Sequence, residues 1–247
     1  MPRRAKNNSK PDKPPGKRPE EPATDTSPDA TERAARVAEI IARLRREYPG
    51  ARIVLDYGND WELLVAVILS AQCTDKMVNQ VTAKLFKKYR TVAEYAAADP
   101  AEFENDIRPT GFFRNKTKHI IAAAQKVLAD YGGEVPASMA ELLTLPGVAR
   151  KTANIVLGNA HPEAYATDPD AGIAVDTHVS RLSQRLGLAT SDNAEKIERE
   201  LMEVVPREDW FQFTYLLIDH GRAVCDAKRP RCGECVLNDI CPSAFRV

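Results

Sequence analysis

Four cysteines near the end of the chain carry the clearest chemistry in the sequence. In CDAKRPRCGECVLNDIC they stand at Cys225, Cys232, Cys235 and Cys241, a C-x6-C-x2-C-x5-C array. Thiols gathered so closely in a chain expected to be cytosolic point to a metal centre, because a reducing compartment does not keep disulfides. Thiolate softness suits tetrahedral zinc and iron–sulfur clusters alike. The array has one C-x2-C pair where zinc ribbons have two, and it does not follow the bacterial ferredoxin run. Spacing therefore leaves zinc and iron open. Arg222, Lys228, Arg229 and Arg231 crowd the same stretch, which makes it either a solvated face or a contact for phosphates.

A second feature lies upstream. LPGVARKTA at 145–153 puts Gly147 in a tight turn and Lys151 in the first residues of an expected helix. A glycine turn opening a helix exposes backbone N–H groups that lack intrahelical acceptors. Those groups and the helix dipole suit an anionic phosphate. Alone this is weak, since helical proteins contain many such turns and a lysine there is commonly solvated.

Helices must hold these groups in place, and the rest of the sequence supplies them. A short polar residue followed three positions later by Glu occurs at Asn59/Glu62, Thr91/Glu94, Asp99/Glu102, Ser138/Glu141 and Asp192/Glu195, the spacing of capping boxes. Trp61 to Leu69 is apolar nearly all round, which predicts a helix buried at the centre of a bundle. Further helices are predicted near 76–89, 113–131, 176–186, 193–204 and 208–220. Gly132–Gly133 and Gly221 are expected helix stops. With almost no strand alternation, the fold class is all-α.

The 247 residues suffice for one large domain or two modest ones. Thirty-five basic and 35 acidic residues balance, so any nucleic-acid site must be a local patch. The longest apolar run, LLVAVIL at 63–69, is too short to cross a bilayer. With no apolar segment at its start, the chain is expected to be soluble and cytoplasmic. Residues 1–30, rich in Pro, Lys, Arg and Ser, read as a disordered tail, since they cannot bury enough surface to offset ordering. Cys73 has no partner at ligand spacing and reads as a small buried hydrophobe.

LPGVARKTA, then VDTH at 175–178, then the cysteine array, resemble in order and spacing the endonuclease III family of helix–hairpin–helix DNA glycosylases. LSAQCTDKMVN at 69–79 and HGRAVC at 220–225 resemble further segments of it, and the likeness runs from about residue 31 to 245. The resemblance implies a bifunctional DNA glycosylase and abasic-site lyase of base excision repair, acting as a monomer on double-stranded DNA with a damaged pyrimidine or an abasic site. It implies two helical lobes, with residues 53–170 as a six-helix barrel holding the hairpin. Residues 31–52 and 171–247 would hold the cluster, and DNA would lie between the lobes. It makes Lys151 the nucleophile, Asp176 the essential carboxylate and the four cysteines the ligands of a [4Fe–4S] cluster. Gln72 would fill the gap left by an extruded base and Phe112 would wedge the duplex. Gly147, Ala149, Arg150, His178 and Arg229 would contact DNA.

Three departures from the family pattern stand out. Ala149 replaces a glycine in the hairpin and still offers its N–H to a phosphate if its φ is negative. Phe112 replaces a smaller wedge. Residues 161–173, HPEAYATDPDAGI, form a longer segment than usual and read as a loop. Two competing readings exist: a monofunctional glycosylase for mismatched or alkylated bases, and a non-catalytic DNA-binding module stapled by zinc. Lys151 speaks against the first, and Lys151 with Asp176 against the second. Catalysis needs a neutral amine at Lys151, and desolvation with the positive end of its helix would favour that form. A charged Asp176 nearby would oppose it, so its role is charge stabilisation and proton relay, or else a helix cap.

Overall fold

Short polar side chains ahead of acidic ones set where the helices of this protein begin. The computed structural model describes residues 30–247, so all but the last residue of the expected tail lies outside the described residues. Twelve α-helices follow one another there, with no strand among the described residues: α1 Ala30–Glu47, α2 Asp60–Ser70, α3 Asp75–Lys88, α4 Val92–Ala96, α5 Pro100–Ile107, α6 Phe113–Tyr131, α7 Met139–Leu142, α8 Arg150–Ala160, α9 Pro162–Thr167, α10 Thr177–Arg185, α11 Ala194–Met202 and α12 Trp210–Ala223. Asn59, Asp99 and Ser138 each accept the N–H three residues on, and Thr91 and Glu94 close a reciprocal capping box. Each such cap is worth about 1 kcal/mol.

Helix α2 is the axis. Trp61 and every residue from Leu63 to Leu69 are buried, and α3, α6 and α8 pack around it. Fully burying an aliphatic side chain of this size contributes about 1.5–3 kcal/mol, which is why this helix is apolar on all faces. Helices α4 and α5 cover α6, and α7 leans on α8. In a second set of contacts α1 and α10 pack on α12, and α11 packs on α10. Arg43 of α1 reaches across the chain to the carbonyl of Val236, 3.0 Å away in the cysteine loop, so the first described helix is fastened to the last segment.

Several expectations need correction. The cap of α11 is Asn193 rather than Asp192: its side chain accepts from the N–H groups of Glu195 and Lys196, and Asp192 lies one residue too early to reach them. Gly221 does not end a helix. It is buried inside α12, where an added Cβ would come within 2.7 Å of His178 Nδ1 and 2.9 Å of Arg181 Nη2, so its small size serves the close approach of α10. Residues 161–173 are not a plain loop, because Pro162 opens α9 as its first residue, a position where proline costs nothing. Gly132 does stop α6, at φ 62°, and the N–H of Gly133 closes onto Val127 O at 3.0 Å, as left-handed helix ends do. No helix among the described residues is long and apolar enough to cross a membrane.

Candidate active site and cluster cage

The turn before α8 is held in place from one side. Gly147 has φ +81°, and a Cβ there would stand 2.7 Å from His119 Cβ, so both backbone and space restrict the position to glycine. Ala149 has φ −100° and ψ 170° and precedes α8 with no side-chain cap. An alanine is thus unstrained where the family pattern has glycine. The first-turn N–H groups of α8 are left for an external acceptor. Lys151, in that first turn, is exposed and forms no hydrogen bond or ion pair among the described residues. Arg150 turns elsewhere. Its guanidinium pairs with both oxygens of Glu198, at 2.9 and 2.8 Å, and with the carbonyl of Asp170 at 3.0 Å. Glu198 is buried and also accepts from Asn154. The Arg150 guanidinium is therefore spent in fastening α8 to α11, and its backbone N–H is what it leaves for the DNA contact that the resemblance implies.

Asp176 stands at the mirror position of α10. Its Oδ1 accepts the N–H groups of His178 and Val179, both at 2.8 Å. Its Oδ2 has no hydrogen-bond partner among the described residues, and Asp176 borders an open cleft with Lys151, Ser70, Gln72, Cys73 and His178. Burial above all pushes the His178 pKa down, against the nearby Asp176 charge and with Arg181 and Arg222 assisting. A neutral His178 thus offers the cleft a hydrogen bond rather than a charge. Cys73 is half-buried and borders the same cleft, so its expected place in the core is corrected to the rim.

Gln72 and Phe112 share an unusual backbone. Their φ angles are 53° and 46°, left-handed values that non-glycine side chains adopt at a cost of about 1–3 kcal/mol and that cluster at functional sites. Gln72 is exposed just beyond α2, and Phe112 is 62% exposed just ahead of α6. Its neighbour Phe113 is engaged by Arg108 and Arg114, whose guanidinium carbons lie 4.9 and 5.8 Å from the ring centre. Phe112 alone is free.

One cleft feature had no signal in the sequence. Arg222 of α12 donates to Asp75 of α3 at 2.6 Å, and both residues border the cleft beside Lys151 and Asp176. They are too far apart in sequence for any spacing rule to couple them. Of the four cations near the cysteines, Arg222 is thus paired, and Arg231 is bound to Glu234 and the Ala223 carbonyl. Lys228 and Arg229 are exposed, and their side chains have no hydrogen-bond or ion-pair partner among the described residues.

The four C-terminal cysteines are free thiols that line one pocket with Leu182, Arg185 and His220. No three His, Cys, Asp or Glu among the described residues are grouped closely enough for a single metal ion. Two donors to sulfur are in place, Arg185 Nη1 at 3.3 Å from Cys225 Sγ and the Leu237 N–H at 3.4 Å from Cys235 Sγ, and His220 Nε2 lies 3.3 Å from Cys235 Sγ. Such hydrogen bonds stabilise cluster thiolates. The residues fit an iron–sulfur cluster.

A helix-hairpin-helix beside a charged cleft defines a class, and residues 65–207 match the model of the HhH-GPD superfamily of base excision DNA repair proteins. Residues 225–241, from the first cysteine to the last, match the iron-sulfur binding domain of endonuclease III. The chain is 53% identical to the endonuclease III of Synechocystis sp. over 85% of its length and 93% of that protein. It is 40% identical to that of Escherichia coli K12 over 84% of its length and 95% of that protein. A solved structure of a trapped endonuclease III–DNA covalent intermediate superposes with a TM-score of 0.79 at 40% identity, covering 85% of this chain and 96% of that one. The chain belongs to the endonuclease III family, the DNA glycosylase/AP lyases of base excision repair. Its cofactor is a [4Fe–4S] cluster, and it binds DNA.

Proposed function

We propose that the protein removes oxidised pyrimidines from double-stranded DNA as a monomer in the cytoplasm, and nicks the strand 3′ of the resulting abasic site, with Lys151 as nucleophile. The observation that carries this reading is one cleft bordered by an unpaired lysine at an uncapped helix start and by a carboxylate with one free oxygen. A base inside a duplex is out of reach, so the nucleotide must swing out. Gln72 fills the vacated space with hydrogen-bonding groups and Phe112 wedges the stack with a flat apolar face. Gly147, Ala149 and the first amides of α8 take the phosphate backbone. His178 adds a neutral hydrogen bond, and Arg229 an outlying cation. DNA lies between the barrel of residues 53–170 and the lobe of 31–52 with 171–247. Cys225, Cys232, Cys235 and Cys241 hold the cluster, which supplies a rigid cross-link for that second lobe.

The chemistry then follows from the side chains. The neutral amine of Lys151 attacks C1′, and the bond to the base breaks with its electrons leaving on the base, which takes up a proton. Opening of the sugar ring moves the C1′–O4′ electrons to O4′, which is protonated, and leaves a Schiff base at Lys151. Loss of a C2′ proton expels the 3′ phosphate by breaking the C3′–O bond, and water then releases the lysine. Asp176 Oδ2 stabilises the positive charge that develops on the sugar and relays protons, while Oδ1 fixes its position through the cap. Lys151 is exposed in the free protein, so desolvation of its amine falls to the DNA that closes the cleft.

Borohydride reduction on a duplex carrying an oxidised pyrimidine tests this. The expected result is a covalent adduct whose peptide map places the sugar on Lys151. An adduct on another amine, or none, would sink the proposal.

A further inference from the structure

Lys116 is the most deeply buried cation of the described chain whose purpose the reaction above leaves open. Only 4% exposed, it sits in the first turn of α6. Its ammonium donates to the carbonyl of Leu69 at 2.8 Å and to that of Thr110 at 2.8 Å. Its backbone N–H bonds Phe112 O at 3.1 Å. Leu69 lies three residues before Gln72, in the last turn of α2, and Thr110 lies two residues before Phe112. One side chain therefore ties together the two segments whose left-handed residues project from the protein.

Stability alone does not account for it. Burial pushes the Lys116 pKa down, which marks the cost of holding an ammonium there, and no carboxylate pairs with it. Uncompensated buried charge is expensive, and an apolar side chain of similar length would avoid that cost. What an apolar side chain would not do is accept direction from two carbonyls on separate segments. The positive charge at the C-terminal end of α2 also suits the helix dipole there.

We propose that Lys116 is a positioning residue that fixes Gln72 and Phe112 relative to each other, so that both enter the duplex together. It touches neither substrate nor reacting atoms. Through Leu69 O its ammonium sets where the chain leaves α2, and through Thr110 O it sets where the chain enters α6. Without it each residue still projects, but the two no longer move as a unit. The inference rests on the reading of Gln72 and Phe112 as the residues that enter the helix.

The test compares substrates that need base extrusion with one that does not. With the cluster-loaded protein, Lys116→Met is expected to lower kcat/KM about tenfold or more on an oxidised pyrimidine in duplex DNA. Borohydride trapping on a single-stranded abasic oligonucleotide should stay within about twofold of the parent, because no stack has to be opened there. A merely structural role would depress both together, and that result overturns the inference, as does an unchanged duplex rate. Gln72→Ala and Phe112→Ala complete a cycle: their combined effect should fall short of the product of the single effects in the parent, as for residues that act as a unit, and become multiplicative in the Lys116→Met background. If the two alanine variants cost nothing on duplex, the reading of the entering residues fails. If they cost activity and remain coupled without Lys116, the positioning role alone fails. Should Lys116→Met not fold, Lys116→Gln, which keeps N–H donors but no charge, is read in the same assays, and equal losses on both substrates overturn the proposal.

Discussion

Two helix beginnings border the same cleft and are built in opposite ways. Helix α8 starts after Ala149 with nothing to cap it, and its first amides stay free. Helix α10 starts after Asp176, whose Oδ1 takes two N–H groups at once. The first end is therefore open to an outside anion, and the second has consumed its own. An open end costs stability and gains a ligand site, whereas a capped end holds one carboxylate in a fixed orientation. One motif of elementary helix chemistry thus leaves α8 with free donors of the kind that suit a phosphate and holds a carboxylate in fixed orientation at α10.

This contrast can be broken at either end. Removing the amine of the open end should have the largest effect: Lys151→Ala is expected to abolish borohydride trapping and to lower base release by at least about 10³-fold, while duplex affinity in a gel-shift assay is retained. At the capped end, Asp176→Asn keeps a capping oxygen and loses the charge. Its thermal midpoint should stay within about 2 °C of the parent, and base release should fall about 10²–10⁴-fold. A full rate in that variant would reduce Asp176 to a cap.

Closing the open end gives a sharper test. Ala149→Asp supplies the missing cap and should raise stability by about 0.5–1 kcal/mol in chemical denaturation. The same carboxylate competes for the amides a phosphate would use, so duplex binding should weaken about tenfold. Stability and affinity moving in the same direction would refute the account of α8. The smallest expected effect belongs to the outlying cation. Arg229→Ala should weaken binding to all duplexes alike and lower the slope of log K against log salt by about one; an unchanged slope would remove Arg229 from the interface.

Much of the architecture was legible because its signals are local. Caps at Asn59, Thr91, Asp99 and Ser138 and the all-apolar run around Leu63–Leu69 depend only on neighbours in sequence. Where the reading missed, the deciding contact came from far along the chain. Gly221 looks like a stop until α10 packs against it, and the Arg150 guanidinium has no visible partner until Glu198 of α11 arrives. The Arg222–Asp75 pair and the two carbonyls on Lys116 belong to the same kind.

By itself the sequence determined an all-helical chain, the glycine turn before Lys151, the place of Asp176 at a helix start and four thiols spaced for a metal centre. Each follows from groups that meet within a few residues, where backbone geometry leaves little choice. Tertiary structure alone decided which cations are spent on carboxylates and which stay free, that Cys73 lies on the rim, and that the carbonyls of Leu69 and Thr110 share one buried ammonium. Those outcomes depend on which helices pack together, and a charge has no fixed role until its partner is brought to it.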